Sequence, residues 1–240
     1  RDYAQGAERQ VAGRRSNDQR FRRFQATVLE GYSLTFLWIT GLILAAWVTA
    51  NFAWRWLSRC YSLPCPTLFA SSLESTLMDR LMRTEATLDR IGFHPGQRVL
   101  EVGPGPGRLL IPVARRILPD GEAVGLEIQP GMIERLRVRA AKLGLSNVTG
   151  IVGDASQTGV ASEAFDVVFL CTTLGEIPDR EAALRQSFAA LKPGGLLSIT
   201  EIFPDPHYQS KRAGFELQTI EGGWVIFTAN FLKPETSTGG

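Results

Sequence analysis

Val99-Leu100-Glu101-Val102-Gly103-Pro104-Gly105-Pro106-Gly107-Arg108 is the stretch that decides the fold. It reads as a short buried strand that breaks into three alternating glycines, with an apolar helix over Leu109–Ile117 following at once. A glycine turn between strand and helix lets a ligand approach the backbone closely, because no Cβ stands in the way. The helix N-terminus behind it offers unpaired N–H groups and a partial positive charge.

Working outward, a second apolar strand, Ala123–Leu126, ends in Glu127, 24 residues beyond Gly103. An acid at that point can accept hydrogen bonds from both ribose hydroxyls of a nucleoside. The dinucleotide fingerprint G-x-G-x-x-G would need Gly or Ala at position 108, where this chain has Arg108; the pattern is instead E-x-G-x-G-x-G, Glu101 to Gly107. Val148–Val152 is a third strand closing on Gly153-Asp154-Ala155, Phe165–Leu170 a fourth, and Leu191-Lys192-Pro193-Gly194-Gly195 turns into a fifth, Leu196–Ile202. Singly, each element has a plainer reading: a tight turn for the glycines, a solvated strand end for Glu127, an N-cap for Asp154. Their joint order favours a ligand site.

These residues resemble the class I S-adenosylmethionine-dependent methyltransferases over about residues 75–234. The finer similarity is to small bacterial members acting on lipids and quinones. The resemblance implies a Rossmann-like, doubly wound α/β sheet with an antiparallel C-terminal hairpin, here Phe215–Glu221 and Trp224–Phe231. It implies S-adenosyl-L-methionine as cofactor, with Glu101, Gly103, Gly105 and Gly107 around the methionine moiety. Glu127 would hold the ribose, and Asp154 with Ala155 would meet the adenine. One departure stands out: only 11 residues, Pro204 to Gly214, separate the fifth strand from the hairpin, where most relatives have a full helix.

From Leu34 to Trp54 the chain carries 21 residues without a charge. A helix of that length is about 30 Å long, the thickness of a bilayer core. Trp54 and Trp56 cluster at one end with Arg55 and Arg59, as expected at a membrane interface. The polar residues Thr35, Thr40, Thr49 and Asn51 form no single wide stripe, so a surface-lying amphipathic helix describes it less well. A signal peptide would be shorter and carry a small-residue cleavage pattern. A buried helix or a dimer seam is the remaining alternative.

The expected organisation is a basic arm over 1–30, a transmembrane helix over 31–57, a linker over 58–72, a methyltransferase domain over 73–234 and a polar tail over 235–240. Within that domain, residues 73–91 are expected to form a helix covering the pocket. Net charge is +2, yet residues 1–23 hold seven arginines against three acids, so the remaining chain is acidic by two charges. Local basicity suits anionic lipid head groups or a solvated tail, and the catalytic part has no basic excess to bind nucleic acid. Cys60, Cys65 and Cys171 suggest neither a disulfide framework nor a metal site.

Methyl transfer from a sulfonium needs mainly positioning, with a base only where the acceptor must lose a proton. Catalytic candidates are Glu176 after the fourth strand, and His207 and Tyr208 after the fifth, with Asp205 beside them. The expected activity is methylation of a lipophilic acceptor, a phospholipid head group or an isoprenoid quinone, by a single-pass membrane enzyme. The rival expectation is an accessory subunit of a membrane protein complex that keeps the fold without catalysis. Placing the basic arm in the cytoplasm would put the domain outside, away from the cofactor supply. A cytoplasm-facing domain is therefore expected on chemical grounds. The chain opens on Arg1 rather than Met, which leaves room for an earlier span that would reverse the count.

Overall fold

The structure is a computed structural model, described here over residues 35–50, 82–202, 213–223 and 226–235 and at a few positions between 53 and 80. The chain divides into two units, Arg1–Trp54 and Arg55–Gly240.

In the first unit, residues 35–50 form helix α1, and every one of them is exposed. Apolar side chains point to all sides, Phe36, Trp38, Leu42, Ile43 and Trp47 among them. The hydroxyls of Thr40 and Thr49 donate back to the carbonyls of Phe36 and Ala45, at 2.6 and 2.8 Å. Among the described residues, no helix is long and apolar enough to cross a membrane. The expected span reached Trp54, but Leu34, Asn51, Phe52 and Trp54 lie outside the described residues.

The second unit is built on a seven-stranded sheet, β1 Arg98–Val102, β2 Glu122–Glu127, β3 Val148–Val152, β4 Phe165–Cys171, β5 Leu191–Ile202, β6 Glu216–Gly222 and β7 Ile226–Leu232. The spatial order is β3-β2-β1-β4-β5-β7-β6. The first five strands run parallel; β7 is antiparallel to both β5 and β6. Helices α2 Thr84–Ile91, α3 Leu110–Arg116, α4 Pro130–Lys142 and α5 Arg180–Ala190 connect or cover them. This is the doubly wound α/β sheet with a C-terminal hairpin that the sequence leads one to expect.

Short, nearly continuous apolar runs make β1, β2 and β4 strands that are buried on both faces, as parallel sheets require. Leu100, Val168, Leu197 and Phe231 pack on the side of α5 through Leu184 and Phe188. Val99, Val167 and Phe169 pack on the other side against Leu88 and Ile91 of α2, Leu110 and Val113 of α3, and Ile133 and Leu136 of α4. Fully burying one such side chain contributes about 1.5–3 kcal/mol, so the two layers supply most of the drive to fold. Asp179 caps α5 by accepting from the Ala182 N–H at 2.8 Å. Strand β6 is exposed along its whole length because it ends the sheet.

Three expected boundaries need correction. The helix expected over Leu109–Ile117 is Leu110–Arg116, an end-turn difference. Strand β5 starts at Leu191 rather than Leu196: Leu191 pairs with Phe165 and Leu196 with Val167, so the Lys192–Gly195 turn bulges out of a strand already begun. Gly194, at φ 74°, lets it do so, and its N–H donates to Lys233 O at 3.0 Å. The hairpin lies at Glu216–Gly222 and Ile226–Leu232, its first strand and its end one residue later than read; the expected start of its second strand, Trp224, lies outside the described residues. Of the helix expected over 73–91, the segment Thr84–Ile91 is observed as α2. Residues 203–212, most of the short segment, are outside the described set.

Candidate cofactor and acceptor site

Strand order reverses between β1 and β4, and in sheets of this kind ligands bind in the crevice at the carboxyl ends beside the reversal. The glycine turn emerges there, and its three glycines differ in function. A Cβ on Gly103 (φ 74°) would press into the Thr173 side chain, 2.7 Å from its Oγ1; one on Gly107 (φ 85°) would collide with a Leu136 methyl. Those two pack the turn against Thr173, just beyond β4, and against α4. A Cβ on Gly105 (φ 54°) would meet nothing within 4 Å. Gly105 is therefore the open side of the turn, where a ligand can lie against backbone.

Two buried carboxylates flank this opening. Glu101, at 2% exposure, accepts a hydrogen bond from the Leu110 N–H at the start of α3, while its Oε2 has no partner among the described residues. Burial pushes its pKa up to about 8; the charge of Arg108 pulls it down and that of Glu127 pushes it further up. Glu127 ends β2 and accepts from the N–H groups of Gly105 at 3.1 Å and Gln129 at 3.0 Å. Burial raises its pKa too, opposed by the N–H groups of Gln129, Gly105 and Ile128. An unpartnered buried carboxylate oxygen, a second buried carboxylate and an open glycine fit S-adenosylmethionine, which carries an ammonium and ribose hydroxyls.

The other expected site residues divide. Asp154 is exposed, and its Oδ1 accepts from both the N–H and the hydroxyl of Ser156 at 2.7 Å. Ala155 beside it is half-buried against the α5-side core. Glu176 ends a single helical turn, Leu174–Glu176, just beyond β4. Asp205, His207 and Tyr208 lie outside the described residues.

The structure adds three residues to this set. Glu201, near the end of β5, is 4% exposed and accepts from the Gly175 N–H at 3.2 Å. Arg108 donates to Thr84 Oγ1 at 2.9 Å and approaches Cys171 Sγ at 3.6 Å. Burial pushes the Cys171 thiol up to about 11 although Arg108 pulls the other way. Thr172, at φ 56°, turns the chain sharply after β4, and its N–H donates to Thr200 O at 2.7 Å. A non-glycine residue in that region stores strain of the kind found at ligand sites. The signal for Glu201 was present in the sequence, since Glu101 and Glu127 are likewise acids at the carboxyl ends of strands.

The sequence model of the methyltransferase-domain family matches residues 93–219, more than half of the chain. Aklanonic acid methyltransferase of Streptomyces sp. strain C5 is 32% identical over 146 residues, covering 54% of this chain and 66% of that protein. The ubiquinone/menaquinone biosynthesis C-methyltransferase of Vibrio campbellii is 33% identical over 116 residues, 48% of this chain and 45% of its own length. The chain thus spans less than two thirds of these relatives. An S-adenosylmethionine-dependent methyltransferase from Aquifex aeolicus superposes with a TM-score of 0.64 over 70% of this chain and 99% of its own, at 20% identity, a likeness of fold. With strand order, glycine turn and paired carboxylates in agreement, the chain belongs to the class I S-adenosylmethionine-dependent methyltransferases.

Proposed function

We propose that this chain is a membrane-anchored methyltransferase that moves a methyl group to a lipophilic acceptor, a phospholipid head group or an isoprenoid quinone. The observation that carries the anchoring is helix α1. It exposes tryptophan, phenylalanine, leucine and isoleucine on every side, and its threonine hydroxyls are satisfied by its own carbonyls. Such a surface is costly in water and suits lipid, where backbone and hydroxyl groups must find partners within the helix. Similarity to a quinone C-methyltransferase supports the acceptor class.

When bound, S-adenosylmethionine supplies a methyl group on a sulfonium that is already activated for displacement. Glu101 would take its ammonium, Glu127 its ribose hydroxyls, and Gly105 would let it lie against the turn. Catalysis is then a matter of orienting the acceptor, which needs little beyond near-attack geometry. Glu176, at the end of the crevice beyond β4, could remove a proton from an acceptor hydroxyl or ammonium; His207 and Tyr208 are proposed for the same role. The domain faces the cytoplasm in this reading.

The test has two arms. Alkaline carbonate should leave the full chain in membranes, while a form starting near Ser71 should be recovered in the soluble fraction. Mass spectrometry of lipids and quinones from cells with and without the gene should then show one methylated species lost. Release of the full chain by carbonate would defeat the anchor. Unchanged lipids and quinones, with the chain co-purifying with a membrane complex, would favour the accessory-subunit role.

A further inference from the structure

We propose that Arg139 of α4 is a positioning residue for the cofactor: it occupies the Pro106 carbonyl, fixes the glycine turn from behind, and so leaves the first N–H of α3 on Glu101. The inference rests on the reading that S-adenosylmethionine lies against this turn.

The geometry begins with two prolines. Pro104 and Pro106 have no N–H, and the ring fixes φ at each. The peptide plane between Pro106 and Gly107 can still turn over, because Gly107, at φ 85°, tolerates either sign of φ. In the structure this plane is held at both ends. Its N–H donates to Pro104 O at 2.9 Å, and its carbonyl accepts from Arg139 Nη1 at 2.7 Å. Pro106 and Gly107 are buried while Arg139 is half-buried, so the guanidinium reaches inward from α4. One turn earlier on the same helix face, Leu136 fills the space where a Gly107 side chain would stand. Helix α4 thus braces the turn with one apolar and one charged contact.

The carbonyl matters because of what would otherwise take it. A regular α-helical bond would run from the Leu110 N–H to Pro106 O. Here the Leu110 N–H, at the start of α3, goes to the Glu101 carboxyl instead. Carbonyl and carboxyl compete for one donor, and Arg139 ends the competition by satisfying Pro106 O from another element. Without it a buried carbonyl would lose its partner, a costly state. The remedy nearest in the chain is for α3 to take back the Leu110 N–H. Glu101 would then lose the donor that orients it, and the turn beside Gly105 would tighten. Only molecules with the turn open would bind, so apparent affinity would fall by that fraction.

The experiment is calorimetric titration of S-adenosylhomocysteine into the full chain in mild detergent, with thermal melts and hydrogen exchange on the same samples. Arg137, on the same helix, donates to the Gly150 carbonyl of β3 at 3.0 Å. Arg137→Met therefore removes a comparable bond that does not touch the turn. Arg139→Met should bind about tenfold more weakly than wild type, and Arg137→Met within about twofold of it. Arg139→Lys should return to within about threefold, since an ammonium can still donate to one carbonyl. Exchange at the Gly107 amide should quicken in Arg139→Met while the β1 amides stay protected, and slow again with ligand. Melts establish that each variant is folded; where Arg139→Met fails to fold, Arg139→Gln, whose donor is too short, takes its place. Affinity within about twofold of wild type in the folded variant, or an equal loss in Arg137→Met, would show a merely structural arginine and overturn the proposal. A wild-type chain that takes up no S-adenosylhomocysteine would instead defeat the cofactor reading itself, before any variant is compared.

Discussion

The ends of β1 and β2 and the ends of β4 and β5 both present buried acids, yet the two pairs of strands use them differently. At the first, Glu127 is braced by the N–H groups of Gly105 and Gln129, while Glu101 retains an oxygen with no partner among the described residues. That side has a buried carboxyl oxygen to spare beside an open glycine. At the second, Glu201 is tied to the Gly175 N–H and so fixes the loop after β4, next to the strained Thr172 and the neutral Cys171. One end is built to receive a cation; the other is built to hold the shape of a loop.

The sharpest way to break that contrast is at the glycines. Gly103→Val combines the cost of a left-handed backbone, about 1–2 kcal/mol, with overpacking against Thr173, about 1–3 kcal/mol. Urea denaturation should show a loss of roughly 2–5 kcal/mol. Gly105→Ala carries only the backbone cost, about 1–2 kcal/mol, because its Cβ meets open space; its main effect should be on cofactor affinity. Equal destabilisation by both variants would erase the distinction between packing and open glycines.

At the β4–β5 end, Glu201→Ala leaves the Gly175 N–H without its partner, at a cost of about 1–3 kcal/mol in stability. Cofactor affinity should stay within about twofold, since the variant leaves Glu101 and Glu127 intact, and turnover should fall through misplacement of the acceptor loop. If the dominant effect is instead loss of cofactor binding, the division between the two ends is wrong.

Glu101 should also sharpen the comparison through pH. Its folded-state pKa, about 8, lies above its ordinary value of 4.5. The native protein holds a proton that the unfolded chain releases between those values, so the contribution to stability falls as pH rises through that window and levels off above about 8. Glu101→Gln removes this dependence and should be more stable than wild type above the window by about 1–3 kcal/mol, measured by denaturation of the ligand-free chain. Stability and affinity thus move in opposite directions at this one residue. A variant no more stable than wild type at high pH would mean that Glu101 carries its charge at little cost.

Much of this was legible beforehand because buried parallel strands are written as short apolar runs, and β1, β2, β3 and β4 fall within a residue of their expected bounds. The glycine turn was legible as a turn, but not the division of its glycines: that depends on Thr173 and Leu136, distant in sequence, lying where a Cβ would go. Arg108 was read only as a mismatch to a dinucleotide pattern, because its anchors Thr84 and Cys171 lie 24 residues before it and 63 after. The start of β5 was misplaced because Lys192-Pro193-Gly194-Gly195 has turn chemistry, and only pairing of Leu191 with Phe165 shows that the strand precedes it.

The smallest expected effect concerns Asp154, the acid after β3 assigned to the adenine by resemblance. In the structure its Oδ1 already receives the Ser156 N–H and hydroxyl, each at 2.7 Å, a turn that asparagine can make equally well. If holding the turn is all it does, Asp154→Asn should keep both stability and cofactor affinity, and Asp154→Ala should lose about 0.5–1.5 kcal/mol of stability. If the second carboxylate oxygen accepts from the adenine amino group, Asp154→Asn can still offer an acceptor at one position only, and affinity should fall several-fold while the melting temperature holds. The two variants, read by denaturation and by ligand titration, separate these roles. The first outcome would make β3 a structural edge and leave recognition to β1 and β2; the second would extend the cation-receiving end of the sheet by one strand.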